Sequence, residues 1–287
     1  MTLRWLVVGS RGMLGGELVE TLGRGPHDAD GVDLPEVDIT DLDSCRDAAT
    51  GHDVVVNCAA YTAVDAAEKD EATAFTVNAV GPANLARACA ESGALLVHLS
   101  TDYVFAGQGE TPIPEDAAVA PRSAYGRTKA AGEWAVQAYL PGQHYLVRTA
   151  WLYGRDGPSF VHTMRRLALD SDAPVTVVHD QRGQPTWTRD VAEQIVALVD
   201  GEAPTGTYHA TSTGSPTWWD LAREVFILSG ADPDRVHPVP TSAYLRPAPR
   251  PAWSVLGHDA WVGTGIDPIG DWRERLGKFM ADRFRGE

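Results

Sequence analysis

The apolar run Leu95–Ser100 ends on two hydroxyls, Ser100 and Thr101, and the segment Tyr125-Gly-Arg-Thr-Lys129 follows downstream. Four residues apart on a helix, the phenol of Tyr125 and the ammonium of Lys129 point the same way. These groups suit the reduction of a ketone, in which carbon receives a hydride and oxygen receives a proton. A free phenol has a pKa near ~10, too high for easy proton transfer at neutral pH. An ammonium one turn away is expected to lower it, and could also bond the ribose of a nicotinamide cofactor. Thr101, at the carboxyl end of a parallel strand, is where such sheets bind ligands, and its hydroxyl can hold the carbonyl oxygen. Thr101, Tyr125 and Lys129 are therefore the candidate catalytic residues, while Tyr103 reads as a packing aromatic.

A second pattern supplies the hydride donor. Gly9-Ser10-Arg11-Gly12-Met13-Leu14-Gly15 follows an apolar strand and opens a helix. Gly9 permits a tight turn, Gly12 lets a pyrophosphate approach the backbone, and Gly15 lets the helix close on the sheet. The spacing is G-x-x-G-x-x-G, and its strand–turn–helix setting points to a dinucleotide. An acid about twenty residues further on reads the adenosine ribose in such folds. Asp33 is the candidate; a carboxylate there bonds a free 2′-hydroxyl and repels a 2′-phosphate, and no Arg follows at position 34. The expected cofactor is NADH or NADPH, with NADH slightly preferred. Asp38-Ile39 can instead flank the adenine.

The elements that must position these groups alternate. Leu3–Val8, Val54–Cys58, Leu95–Ser100 and Tyr145–Thr149 read as strands, and Met13–Leu22, Ala72–Ser92 and Ala124–Tyr139 as helices. Strands apolar along their whole length imply a parallel sheet covered on both faces. The segment Asp28–Asp33 is unusually polar for a strand. Later, Ser159–Leu169, Thr188–Val199, Thr217–Leu228 and Trp272–Phe284 read as helices and Val175–Val178 as a strand, around a Pro-rich stretch, Asp232–Pro251. The expected fold class is α/β: a Rossmann-type doubly wound parallel sheet over residues 1–155 and a smaller C-terminal α/β substrate domain over 156–287, with part of it, about 175–199, returning to the cofactor domain.

With 287 residues, 44% hydrophobic and 22% charged, the chain can bury roughly 75% of its extended surface without staples. A net charge of −15 argues against nucleic acid or an anionic membrane as a partner. Three cysteines, Cys45, Cys58 and Cys89, form no C-x-x-C pair and read as reduced thiols of a cytoplasmic protein. No apolar run is long enough to span a membrane. His98 reads as a satisfied sheet histidine, Trp218-Trp219 as packing, and no His or acid spacing suits a metal. Arg165-Arg166 could face a diphosphate, or simply solvent; Arg246 and Arg250, each before a proline, could close over a nucleotide.

These residues resemble one family nearly end to end. The carrying segments are Val7–Gly15, Val37–Asp41, Asn57-Cys-Ala-Ala-Tyr-Thr-Ala-Val-Asp65, Ala67-Glu68, Ser100–Phe105, Ser123–Lys129, Ala131–Glu133, Arg148-Thr-Ala-Trp-Leu-Tyr-Gly154, Asp180-Gln-Arg-Gly-Gln-Pro-Thr186 and Arg250–Leu256. The chain is similar to the dTDP-4-dehydrorhamnose reductases, extended short-chain dehydrogenase/reductases. The resemblance implies reduction of the C4 ketone of a dTDP-4-keto-6-deoxy-L-hexose. It matches Thr101, Tyr125 and Lys129 to catalytic positions and Ala59, Ala60 and Tyr61 to the cofactor. Thr62, Val64, Asp102 and Trp151 match positions near the sugar, and Arg250 is taken as a further substrate contact. Departures are Ser159 where Asn is frequent, and Trp253 in place of a smaller or polar residue, which implies a pocket for a sugar other than rhamnose. Many members dimerise around Mg²⁺ held by glutamates. Glu17 fits one such position, but Arg189 replaces an acid, so the expectation is a monomer, or a homodimer without Mg²⁺ bridging. Two rivals remain open: an NAD-dependent nucleotide-sugar epimerase or dehydratase, and a non-catalytic reductase-like regulatory subunit.

Overall fold

Trp5, Val7, Val54, Val56, Val97 and Val147 are all within 2% of full burial, and each such side chain contributes roughly 1.5–3 kcal/mol of apolar stabilisation. They belong to the middle strands of one sheet. The computed structural model describes residues 2–284. In chain order the elements are β1 (Arg4–Val8), α1 (Met13–Gly23), β2 (Asp28–Val32), α2 (Leu42–Ala49), β3 (Val54–Asn57), α3 (Val64–Ala67), α4 (Glu71–Phe75), α5 (Gly81–Ser92), β4 (Leu95–Thr101), α6 (Ala124–Tyr139) and β5 (His144–Thr149). The chain continues with β6 (Leu152–Tyr153), α7 (Phe160–Asp170), β7 (Val175–Val178), β8 (Thr186–Trp187), α8 (Thr188–Asp200), β9 (Gly206–His209), α9 (Trp218–Leu228), β10 (Val236–Val239) and α10 (Trp272–Arg283).

The main sheet has the order β2-β1-β3-β4-β5-β9, and every neighbouring pair is parallel. The chain leaves β1 toward β2 and returns to the other side of β1 at β3. This reversal opens a crevice at the carboxyl ends of the two strands, where open α/β sheets bind ligands. One face of the sheet carries α1 and α8 in a common core with Leu14, Leu18, Val191, Ile195 and Leu198. The other carries α2, α5 and α6 through Cys45, Leu85, Cys89 and Val136. A third core joins α7, α9 and α10 through Val161, Phe226, Leu276 and Phe279, together with the parallel pair β7–β10. The α/β class with a central parallel sheet thus stands. Among the described residues no helix is long and apolar enough to cross a membrane.

The elements differ from the expectation in several places; α2, β9 and β10 lie where the sequence pattern marks no helix or strand. The polar segment Asp28–Val32 is a strand after all. It lies at the sheet edge, so its side chains face water while its backbone pairs with β1. The single helix expected over 72–92 is α4, a π-helical turn at Thr76–Val80, and α5. Pro82 near the start of α5 lacks the N–H that a continuous ladder needs. The turn aims Asn78 inward, where it accepts from Tyr61 N at 2.8 Å and donates to Thr128 Oγ1 at 3.1 Å. It therefore ties the loop after β3 to α6.

Helix α6 begins on a Ser123 cap, whose Oγ accepts from Gly126 N at 3.0 Å. Gly126 lies against the Tyr103 carbonyl, and a Cβ there would overlap it. Further along, Glu133 accepts from Arg148 of β5 at 2.9 and 2.7 Å, with both side chains at most 4% exposed. Removing one member of a buried pair leaves the other charge uncompensated. Arg148→Met is therefore expected to cost about 3–5 kcal/mol in urea unfolding, and Arg148→Lys, which keeps the charge, to cost less. An Arg148→Met loss below about 1 kcal/mol would show the pair to be no stronger than a surface one.

Candidate active site

At the end of β1 the chain turns through Gly9, whose φ is +84°. A side chain there would strike the backbone of Ala59, and one at Gly15 would strike the Gly9 carbonyl. Both glycines are therefore required by close backbone approach, between β1 and the loop after β3 and between β1 and α1. Helix α1 then starts at Met13 with no side chain capping its N-terminus, leaving first-turn amides for an anion.

A cleft of about 950 Å³ runs from this turn across the carboxyl ends of the strands. Of the predicted cofactor residues, Gly9, Gly12, Met13, Leu14, Gly15, Asp33, Asp38, Ile39, Ala59 and Ala60 line it. Ser10, Arg11 and Tyr61 do not. Ser10 N bonds Val32 O at 3.0 Å. Arg11 donates to the Leu34 carbonyl and to Glu36 Oε1, each at 2.7 Å, and Tyr61 packs with Ala67, Ala74 and Ala124. Asp33 sits past the end of β2 with its carboxylate fixed by Arg11 N at 3.1 Å and Leu34 N at 2.8 Å. The glycine turn, the uncapped helix start and the acid beyond β2 fit a dinucleotide.

The other end of the cleft brings together Thr62, Val64, Thr101, Asp102, Tyr125, Lys129, Trp151 and Arg250. Thr101, the last residue of β4, donates to Asp102 Oδ1 at 2.9 Å and accepts from Tyr103 N at 3.2 Å. Tyr125 lies on the first turn of α6, edge-on to Tyr103 at 5.6 Å. Tyr103 itself lines the cleft as well as packing. Burial pushes the Tyr125 phenol up to about 12; Asp102 adds to the rise, and the adjacent Thr101 hydroxyl opposes it. The expected lowering by Lys129 is not seen. Lys129 Nζ donates instead to the Leu99 carbonyl of β4 at 2.6 Å, and desolvation dominates both groups. Burial brings Lys129 down to about 8, against the pull of Glu133. At neutral pH the phenol thus holds its proton and the amine is mostly charged. Burial also raises Asp102 to about 6, and its Oδ2 carries no hydrogen bond.

Some residues fall elsewhere than the sequence implied. Trp253 does not line the cleft; its Nε1 donates to Thr111 O at 2.8 Å and its ring covers Gly109, so it fastens a loop. Ser159 caps α7, accepting from His162 N. Arg165 stacks on Phe284 at 3.8 Å. Arg189 bonds Glu17 at 3.1 Å and Asp282 at 3.0 Å, and the described residues contain no group of three His, Cys, Asp or Glu placed to hold a metal. His98, expected to be a satisfied sheet histidine, is buried in the sheet with its Nδ1 3.1 Å from Asn57 Nδ2, but its Nε2 has no hydrogen-bond partner. Arg250 reaches Asp65 at 2.9 Å across the cleft.

The lining residues that the sequence does not assign to the site include Gln181, Trp218 and Ser254. Gln181 and Ser254 stand inside quoted motifs, which was a usable signal. Trp218, taken as packing, stacks on Trp151 at 3.6 Å and 10°.

The family model described as RmlD substrate binding domain matches residues 3–284. A Streptomyces antibioticus protein named "Probable dTDP-4,6-dihydroxy-2-methyloxan-3-one 4-ketoreductase" is 52% identical, covering 99% of this chain and 97% of its own. A Streptomyces griseus protein named dTDP-4-dehydrorhamnose reductase is 51% identical, over 95% of this chain and 91% of its own. Among solved structures, the Bacillus anthracis dTDP-4-dehydrorhamnose reductase in complex with NADP superposes with a TM-score of 0.94 at 35% identity, over 98% of this chain and 100% of that one. With a match across nearly its whole length and relatives at about half identity, the chain belongs to the RmlD substrate binding domain family, among the extended short-chain dehydrogenase/reductases.

Proposed function

We propose that this enzyme uses NADH or NADPH to reduce the C4 ketone of a dTDP-4-keto-6-deoxy-L-hexose in nucleotide-deoxysugar biosynthesis. The observation that carries the reading is the shared cleft: a protonated Tyr125 phenol, Thr101 and Lys129 at one end, and the glycine turn with Asp33 at the other. The near-full-length relatives named as sugar 4-ketoreductases support it.

In this mechanism the Tyr125 hydroxyl donates to the ketone oxygen, and the Thr101 hydroxyl joins it once its proton turns from Asp102 Oδ1. A reduced nicotinamide bound in the cleft supplies the hydride to C4. The Tyr125 O–H bond breaks as the new sugar O–H bond forms. Lys129, charged and fixed on the Leu99 carbonyl, would bond the nicotinamide ribose of the bound cofactor, and solvent returns the proton to the tyrosinate. The low-dielectric surroundings strengthen each of these interactions. Asp102 lines the sugar end of the cleft, where its carboxylate suits a sugar hydroxyl.

The nucleotide half of the substrate has its own space in this reading. A second cavity of about 390 Å³ shares Gln181, Trp218, Arg246 and Arg250 with the cleft and is otherwise lined by groups such as Phe160, Met164, Val177 and Tyr244. The base suits its apolar walls, and the two guanidinium groups suit a diphosphate. The units then divide as cofactor side, residues 1–155 with α8 and β9, and substrate side, most of the rest; of the segment 175–199 expected to return to the cofactor side, β7 pairs with β10 instead and only α8 packs on the main sheet. The Glu17–Arg189 pair supports a monomer, or a dimer that no Mg²⁺ bridges. Asp33 favours NADH, since a 2′-phosphate would meet its carboxylate.

Three measurements test the reading. Tyr125→Phe is expected to lower NADH oxidation with a dTDP-4-keto-6-deoxy sugar by about 10²–10⁴-fold while still binding NADH; an unaffected rate would remove the phenol from the mechanism. Because Lys129 must keep its proton and titrates at about 8, activity should fall as pH rises through that value. Lys129→Arg, charged at every working pH, should push the alkaline limb upward, and an unmoved limb would assign it to another group. For the cofactor, kcat/KM should favour NADH, and Asp33→Ala should raise the NADPH/NADH ratio; a strong NADPH preference in the unaltered chain would overturn the role of Asp33.

A further inference from the structure

Trp151 has a backbone φ of +47°, a left-handed conformation that costs a bulky side chain energy and survives only where the surroundings impose it. Its indole lies in the cleft, a short step past the end of β5. Two contacts hold the ring. Trp218 stacks on its face, centroids 3.6 Å apart and planes 10° apart. Gly183 lies against its Cε2, Cζ2 and Nε1 atoms so closely that a Cβ would overlap them.

Both contacts are themselves anchored, and to each other. Gly183 N donates to Pro216 O at 3.1 Å, which joins the glycine to the segment that starts α9. Trp218 is the first residue of α9, behind a reciprocal cap in which Thr217 and Asp220 bond each other's backbone. Phe160 of α7 packs on Trp218 from 4.7 Å, and Thr186 N reaches the Trp151 carbonyl at 3.3 Å. The stack stands where the cleft meets the second cavity, since Trp218 lines both.

We infer that Trp218 and Gly183 are positioning residues, which fix the Trp151 indole as a rigid wall that orients the sugar toward Tyr125. The inference rests on the reductase reading and adds to it the parts that aim the substrate. Stacking leaves the Trp151 ring no free rotation. The strained backbone is then a means of placing a flat aromatic surface where no ordinary strand exit would put it. Losing the support should misalign the ketone without disturbing the dinucleotide, whose glycine turn lies at the other end of the cleft.

The test compares Trp218→Ala, Trp218→Phe and Gly183→Ala with the unaltered enzyme. Two stacked indoles give an exciton couplet in far-ultraviolet circular dichroism, which reads the stack independently of activity. Trp218→Ala should abolish the couplet and lower kcat on the dTDP-4-keto sugar by about 10- to 100-fold, leaving KM for NADH unchanged. Trp218→Phe also lacks the couplet but keeps a ring on Trp151, and should stay within about threefold of the unaltered kcat. Gly183→Ala keeps both indoles, and should perturb the couplet and lower kcat with KM for NADH unchanged. A Trp218→Ala enzyme with ordinary kcat, a Phe variant as impaired as the Ala variant, or an equal loss of NADH affinity overturns the inference. If Trp218→Ala does not fold, the Phe and Gly183 variants decide by the same criteria. An unaltered enzyme inactive on every dTDP-4-keto sugar overturns the functional reading instead, before any variant is made.

Discussion

A buried cation one helical turn from the phenol is the constraint on which this molecule is built. The Lys129 ammonium has left water for a single strong acceptor, the Leu99 carbonyl. Such burial is tolerated only where polar partners and opposite charge are close. Glu133, one turn further along α6, supplies that charge, and is in turn held by Arg148 of β5. A chain of charges thus runs from the catalytic end of the helix into the sheet. The same burial keeps the Tyr125 phenol protonated, the state a proton donor needs before reaction. Desolvation here serves the chemistry instead of merely opposing it.

Such a helix must sit very close to its neighbours, and glycine makes that contact possible. Gly126 meets the Tyr103 carbonyl and Gly132 meets the Asn78 carbonyl, each at a distance no Cβ allows. The π-helical turn brings Asn78 to that position and lets its amide join the loop after β3 to Thr128. Phenol, threonine and ammonium are therefore set by backbone packing from three sides. At the opposite end of the cleft, Gly9 and Gly15 do the same work between β1, α1 and the β3 loop.

Much of this was legible in the chain because it depends on local spacing. Tyr125 and Lys129 share a face whatever surrounds them, and the glycine turn declares itself between a strand and a helix. What stayed hidden depends on distant partners. Asp28–Val32 looks too polar for a strand because side-chain pattern says nothing of a sheet edge, where the backbone alone pairs. Spacing overstates the effect of Lys129 on Tyr125, because charge proximity is visible in a sequence and dielectric is not. The motif around Trp253 points to the pocket, whereas Gly109 and Thr111, more than a hundred residues away in sequence, hold it in a loop. Trp218 looked like core because an aromatic at a helix start usually is; only its contact with Trp151 marks it out.

The chain carries its positive charge almost wholly as arginine, and only Lys69, Lys129 and Lys278 are lysines. The first and last are exposed, while Lys129 is 2% exposed. An ammonium shut away from solvent trades its protons with water far more slowly than a free one. The catalytic nitrogen is therefore set apart from the other two by exchange alone, an internal reporter that needs no foreign label.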